Sequence, residues 1–329
     1  MINDNKYVGF EKAGTPVIKS VGANNVDAYI NENGEYEAEA PFTGFGKVVV
    51  NVPNRPDEAP SGWIPKKVVN GKVEIGTELP NFTGITDVGD YVYYYAFYTA
   101  DGNSDIKGNL DLSSLTEING KYAFYSAFQN CFGLKSVNIE NLTEIKSESA
   151  SCFSHTFSIC RGLESANLKS LKNIYGNNAC SYMFDGCSGL KTVNLDSLEY
   201  VQGKNCLTYM FHNCSGLESI NLGNLSVVDG SYTCSSMFLD CQSLKDVNLE
   251  KLSSLGNSSF NLAFRNCISL QNLYFPSLNV ITDNSLSGML NGCDGVTVHF
   301  KAERQSSWEN LTSFLNGFGG TNTTILWDL

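Results

Sequence analysis

Apolar and polar positions recur along this chain in one fixed frame, C-x-x-L-x-x-V-N-L-x-x-L-x-x-V, followed by a variable stretch and then M-F-x-x before the next cysteine. The clearest copy starts at Cys187: Leu190, Val193, Leu195, Leu198 and Val201 are apolar, Asn194 stands between two of them, and Met210-Phe211 precedes Cys214. The copies from Cys160 (Leu163, Ala166, Leu168, Leu171, Ile174, Met183, Phe184) and from Cys214 (Leu217, Ile220, Leu222, Leu225, Val228, Met237, Phe238) repeat it. Alternation through V-N-L predicts a short strand with Val and Leu inward and Asn outward. The three-spaced L-x-x-L-x-x-V suits a second arm of a coil. The M/A-F-x-x-C segment suits a short helix or turn that lays Phe and Cys on the core.

Cys131, Cys160, Cys187, Cys214, Cys241, Cys267 and Cys293 mark a period of 26 to 29 residues. A fixed period of this size predicts a solenoid, in which one unit cannot bury its own apolar residues and the core arises only by stacking. Upstream the cysteine fades, but Leu110, Leu112, Leu115, Ile118, Ala127 and Phe128 keep the frame, and Phe82, Ile85, Val88 and Phe97 keep it loosely. About eight units therefore run from near residue 71 to near residue 293. Beyond them, Val296 to Phe300 reads as a last strand and Ala302 to Asn316 as an amphipathic helix with Trp308, Leu311 and Leu315 on one face. Thr324 to Trp327 then reads as a final strand covering the exposed end. The first 60 residues lie outside the frame: Asn33-Gly34 is a hairpin signal, Val48 to Val52 a strand ended by Pro53, and Pro53, Pro56 and Pro60 a linker. The expected architecture is an α/β solenoid over 71–300, with a small β unit plus Pro-rich linker in 1–60 and a C-terminal cap in 301–329.

Composition narrows the partners. In 329 residues, 22 Lys+Arg stand against 34 Asp+Glu, a net charge of −12, and charged residues make up 17%. Such a balance lacks the basic stripe that neutralising phosphates requires, so nucleic acid is not an expected partner. No stretch reaches the roughly 18 apolar residues that cross a bilayer, so no membrane insertion is expected. Met1 to Phe10 has no apolar core of an export signal, although a chain whose signal had been removed would look the same. Eleven cysteines cannot all pair within one chain.

Most candidate chemistry has a plain alternative. The cysteine column lacks the C-x-x-C or Cys/His spacing of zinc sites, so a ladder of buried thiols, each a small apolar residue, is the expectation. Cys152, Cys180, Cys206 and Cys234 form a second, irregular column. His155, His212 and His299 recur with no nucleophile arrangement. Asp101-Gly102-Asn103-Ser104-Asp105 opens like a calcium loop, but Ile106 and Leu112 stand where its Gly and bidentate acid belong. Neither a catalytic residue, a metal nor a cofactor is expected.

The outward strand face carries more. Lys135, Glu164, Lys191, Glu218 and Lys245 alternate in sign from rung to rung, and Asn138, Asn167, Asn194, Asn221 and Asn248 run beside them. Opposite charges on adjacent strands contribute roughly 0.2–1 kcal/mol per pair and set register. This concave strand face is either a self-satisfying surface or a docking face. Tyr91, Tyr93, Tyr94, Tyr95 and Tyr98 form an aromatic cluster that either makes contacts with a partner or covers the N-terminal end of the solenoid.

The frame, with Ala127-Phe128-Gln129-Asn130-Cys131 and Ala263-Phe264-Arg265-Asn266-Cys267 as its A-F-x-x-C signature, resembles the BspA-like leucine-rich repeats of bacterial surface proteins. That resemblance implies a right-handed leucine-rich-repeat solenoid, mostly found in adhesion and ligand-binding proteins on cell surfaces, with no shared catalytic residue. Ile30-Asn31-Glu32-Asn33-Gly34-Glu35-Tyr36 with Val48-Val49-Val50-Asn51-Val52-Pro53 is similar to short segments in tail proteins of phages and prophages. The function so implied is a non-catalytic binding module for a protein or glycan on a cell surface, exposed on a cell or on a virion tail. The alternative is a structural spacer of a phage-like tail or surface assembly. Oligomeric state is left open by these residues.

Overall fold

The computed structural model describes residues 82, 86–90, 93, 97–98, 106–282, 284–308 and 317–329, together with five short strands between residues 7 and 75. Those five strands form one antiparallel sheet. Ala28–Ile30 pairs with Tyr36–Ala38, which pairs with Lys72–Ile75; Lys66–Val69 lies between Lys72–Ile75 and Tyr7–Val8. The pairing sets Val69 opposite Lys72. The expected strand Val48 to Val52 and the Pro53 to Pro60 linker lie outside the described residues.

Beyond this sheet the chain is a parallel solenoid of about eight turns. One side is a sheet built from the V-N strands: Lys107–Asp111, Gly133–Asn138, Ser165–Asn167 and Thr192–Asn194 form one ladder. Ser219–Asn221 pairs with Asp246–Asn248, and Asn272–Phe275 with Thr297–Phe300. Their register places Asn138, Asn167 and Asn194 side by side, and Asn221 beside Asn248. A second sheet of two-residue strands, Glu144–Ile145, Asn173–Ile174, Tyr200–Val201, Val227–Val228 and Ser254–Leu255, forms where the three-spaced apolar residues recur.

The third side holds little helix, so the solenoid stands while its α/β label is loose. The A/M-F-x-x-C stretch is a ribbon of turns, because only alternate N–H groups bond within it. Tyr125, Ala127, Gln129 and Cys131 donate to the carbonyls of Tyr122, Phe124, Ser126 and Phe128. Phe124, Ser126, Phe128 and Asn130 donate instead to Cys152, Ser154, Thr156 and Ser158 of the next coil, at 2.7–2.9 Å. A helix would consume all its donors internally. Here half are spent on the neighbour, and every fourth residue turns left-handed: His155 (φ 55), Ile159 (φ 61), Tyr182 (φ 56), Tyr209 (φ 57) and Asn213 (φ 57). Helix among the described residues is confined to a 3-10 turn, Ala302–Arg304, and Gln305–Trp308, so the expected helix over 302–316 is seen as helix only to 308, with 309–316 outside the described residues.

The core lies between the three sides. Phe97, Phe128, Phe157, Phe184, Phe211, Phe238 and Phe264 form one column of near-parallel rings, 4.6–5.7 Å apart and within 13° of one another, all buried. Each ring buried contributes about 1.5–3 kcal/mol, and each stacked pair roughly 0.5–1.5 kcal/mol more. At the far end Thr324–Trp327 adds a parallel strand in register with Thr297–Phe300. Phe275, Phe300 and Trp327 pack in sequence there, with buried Trp308 edge-on to Phe300 at 5.7 Å.

Candidate functional site

The outward strand face is largely paired with itself. Lys135 Nζ meets Glu164 Oε1 at 3.2 Å and Lys245 Nζ meets Glu218 Oε2 at 2.9 Å. The Lys245 ammonium, by hydrogen bond and charge, lowers the Glu218 pKa. Both glutamates thus pair away from Lys191, which stands between them exposed and without an ion pair among the described residues. The asparagine column behaves the same way. Asn167 Nδ2 donates to Asn138 Oδ1 and Asn248 Nδ2 to Asn221 Oδ1, both at 2.9 Å. Each of Asn167, Asn194, Asn221 and Asn248 also accepts, through Oδ1, the backbone N–H two residues on, at 3.1–3.3 Å. That Asx turn is why asparagine ends these strands: its side chain closes the corner that follows.

Two irregularities coincide at one rung. Lys191 is unpaired and the Nδ2 of Asn194 has no partner among the described residues, whereas Asn221 Nδ2 bonds Asp196 Oδ1 at 2.7 Å, as Asn138 Nδ2 bonds Asp111 Oδ1 at 3.3 Å. The backbone ladder is also absent between Thr192–Asn194 and Ser219–Asn221, which belong to separate ladders.

The tyrosine cluster divides. Tyr93 is buried, stacked on Phe124 at 5.0 Å and edge-on to Phe82 at 5.3 Å, so it extends the core and offers no contact surface. Burial raises its pKa. Tyr98 is half-buried. Tyr91, Tyr94 and Tyr95 lie outside the described residues.

All eleven thiols are buried and free, and burial raises the pKa of each, that of Cys206 to about 12. The seven period cysteines do more than fill space. Each Sγ donates to the carbonyl of the phenylalanine one coil back, Cys160 to Phe128, Cys187 to Phe157, Cys214 to Phe184 and so on, at 2.9–3.5 Å. A thiol is a small apolar group that also carries a donor, so it fills the slot and bonds the carbonyl at once. No group of three or more His, Cys, Asp or Glu residues is placed to hold a metal among the described residues, and Asp101 to Asp105 lie outside them.

Sequence reasoning missed a relay on the turn ribbon. His212 Nδ1 lies 2.8 Å from Asp185 Oδ1 and its Nε2 lies 3.5 Å from Asp240 Oδ2. Half-burial opposes its charge, but the two carboxylates outweigh burial and raise its pKa. His155, stacked on Tyr182 at 4.5 Å with Tyr209 4.7 Å beyond, goes the other way: burial lowers its pKa against a weaker pull from Asp185. The position directly after the core Phe carries Ser158, Asp185 and His212 in successive units, a signal visible only once those units are known to be neighbours.

Residues 153–291 match the family model of the BspA type leucine rich repeat region, in six copies. No curated protein matches the chain by sequence. Among solved structures, a leucine-rich repeat protein from Bacteroides ovatus is 17% identical, with 92% of this chain and 98% of that chain covered and a TM-score of 0.35. A Leucine Rich Repeat protein of T. pallidum is 20% identical, covering 60% of this chain and 89% of its own, with a TM-score of 0.30. A leucine rich cell surface protein from Faecalibacterium prausnitzii is 13% identical, with 94% and 95% covered and a TM-score of 0.21. The fold assignment rests on the six repeat copies and on the parallel ladders. Among the described residues, no helix is long and apolar enough to cross a membrane.

Proposed function

Residues 153–291 being BspA-type leucine-rich repeats, we propose that this chain is a non-catalytic, surface-exposed binding module that recognises a protein or glycan on a cell surface through its outward strand face, with Lys191 and Asn194 as the leading contacts. The observation that carries this reading is the uncompensated rung. Elsewhere on the face, ammonium meets carboxylate and each of the asparagine amides meets an amide or a carboxylate, so a ligand would have to break existing pairs to bind. At Lys191 and Asn194 an ammonium and an amide donor stand ready, and a carboxylate or hydroxyl of a partner binds there at no such cost.

The test is binding of the labelled full chain to cultured cells and to a glycan array. Lys191→Ala is expected to weaken capture about tenfold, equivalent to roughly 1.4 kcal/mol, while Lys135→Ala stays within about twofold. If neither cells nor glycans capture the chain, the spacer reading replaces this one.

A further inference from the structure

We propose that an open hollow beside the second sheet, away from Lys191, is a binding site for a neutral sugar. The hollow measures about 530 Å³ and is lined by Glu144, Lys146, Glu148, Tyr175, Gln202 and Gly203 among others. That size is within the roughly 300–1,000 Å³ of small-molecule sites. Three successive coils build it. Tyr175 follows the strand Asn173–Ile174, Gln202 follows Tyr200–Val201 one coil on, and Glu144 opens the strand one coil back. Gly203 has φ 115, and a Cβ there would lie 2.7 Å from the Tyr175 carbonyl oxygen, so glycine alone allows the two coils to approach this closely.

What this hollow offers is unspent hydrogen-bonding capacity gathered around one space. The Glu144 carboxylate, the Tyr175 hydroxyl and the Gln202 amide have no partner among the described residues, although all three line one space. The two others in the rim are only partly used: Lys146 Nζ donates to Asn119 Oδ1 at 3.2 Å and Glu148 accepts from Ser147 Oγ at 3.1 Å.

The mixture of groups decides the class of ligand. A cation would find carboxylates but also the Lys146 ammonium, and an anion would meet both Glu144 and Glu148. A polyhydroxyl compound donates and accepts at each oxygen, so it satisfies carboxylate, ammonium, amide and phenol together. Its C–H face suits the half-buried Tyr175 ring, which Tyr200 backs at 5.6 Å. The site stands independently of the Lys191 face, since the two lie on different sheets.

The test titrates the full chain with the methyl glycosides of glucose, galactose, mannose and N-acetylglucosamine and reads saturation-transfer NMR. At least one glycoside is expected to give saturable transfer. Tyr175→Ala and Gln202→Ala should each weaken it tenfold or more, while Lys191→Ala leaves it within twofold. If Tyr175→Ala lowers the melting temperature sharply, Gln202→Ala and Glu144→Gln, which alter only the rim, decide the matter. Transfer to none of the four sugars, transfer unchanged in the rim variants, or binding of an oligolysine peptide abolished by Glu144→Gln would each overturn the proposal.

Discussion

The phenylalanine–cysteine column inside the solenoid and the lysine–glutamate column outside it repeat with the same period, yet they are built on opposite rules. Inside, every coil offers the same ring and, one turn further, the same thiol, so each rung is satisfied equally by the rung before and the rung after. Outside, the sign changes at every coil, and a glutamate with two lysine neighbours can hold only one. Glu164 and Glu218 both choose the lysine farther from the middle. Uniform repetition gives stability without position, whereas alternation over an odd number of charges leaves one rung different from all the others. In a repeat protein this is a way for identical units to mark a single place.

The most forceful way to break the inner rule is to delete a ring that is stacked on both sides. Phe184→Ala is expected to cost roughly 3–5 kcal/mol in urea unfolding followed by circular dichroism. Next in size, Cys214→Ala removes a thiol donor and leaves a small void, at about 1–3 kcal/mol. Cys214→Ser, which keeps a donor, should recover part of that loss. Native-state thiol titration should meanwhile find the eleven cysteines slow to react until denaturant is added.

A gain of about 1 kcal/mol is expected from Ile159→Asn. A β-branched residue is held at φ 61, where asparagine pays little; an unchanged or lowered unfolding midpoint would count against stored strain there. The smallest effect is on pH. His212 has its folded pKa raised, so its stabilisation is complete below the ordinary histidine value of about 6.5 and fades as pH rises through the folded value. The melting-temperature difference between the native chain and His212→Gln should therefore shrink from about pH 5.5 to about pH 8.5. His155, with its pKa lowered by burial, contributes oppositely: its share is present above the ordinary value and lost as pH falls.

The inner column was legible because burial forces the same residue type at the same spacing: Cys187, Leu190, Val193 and Phe211 announce their places without any neighbour being known. Thr324 to Trp327 was legible as a strand from its short apolar run, although its side chains are exposed or half-buried. The turn ribbon was legible only as one of two alternatives, helix or turn. Met183, Phe184 and Cys187 have the spacing of a helix face, and the left-handed residues of the ribbon include Tyr182 and Ile159, types that carry no turn signal. Nor can a sequence say which of two lysines a glutamate selects, since Lys135 and Lys191 are equivalent on paper and only the geometry of adjacent coils separates them. The hollow at Tyr175 was invisible because its rim comes from three coils whose residues obey no common repeat.

The thiol ladder has a consequence for how long a folded molecule lasts. While the coils stay closed, each sulfur is protonated and out of reach of oxidants. When a coil opens in an oxidising medium, its thiols become thiolates beside those of the next coil, and any oxidation traps the opening, because an oxidised sulfur no longer fits its slot or donates to the phenylalanine carbonyl. Each transient opening is then a one-way event. The oxidation state of the cysteines in an aged sample thereby records, coil by coil, where the solenoid has breathed.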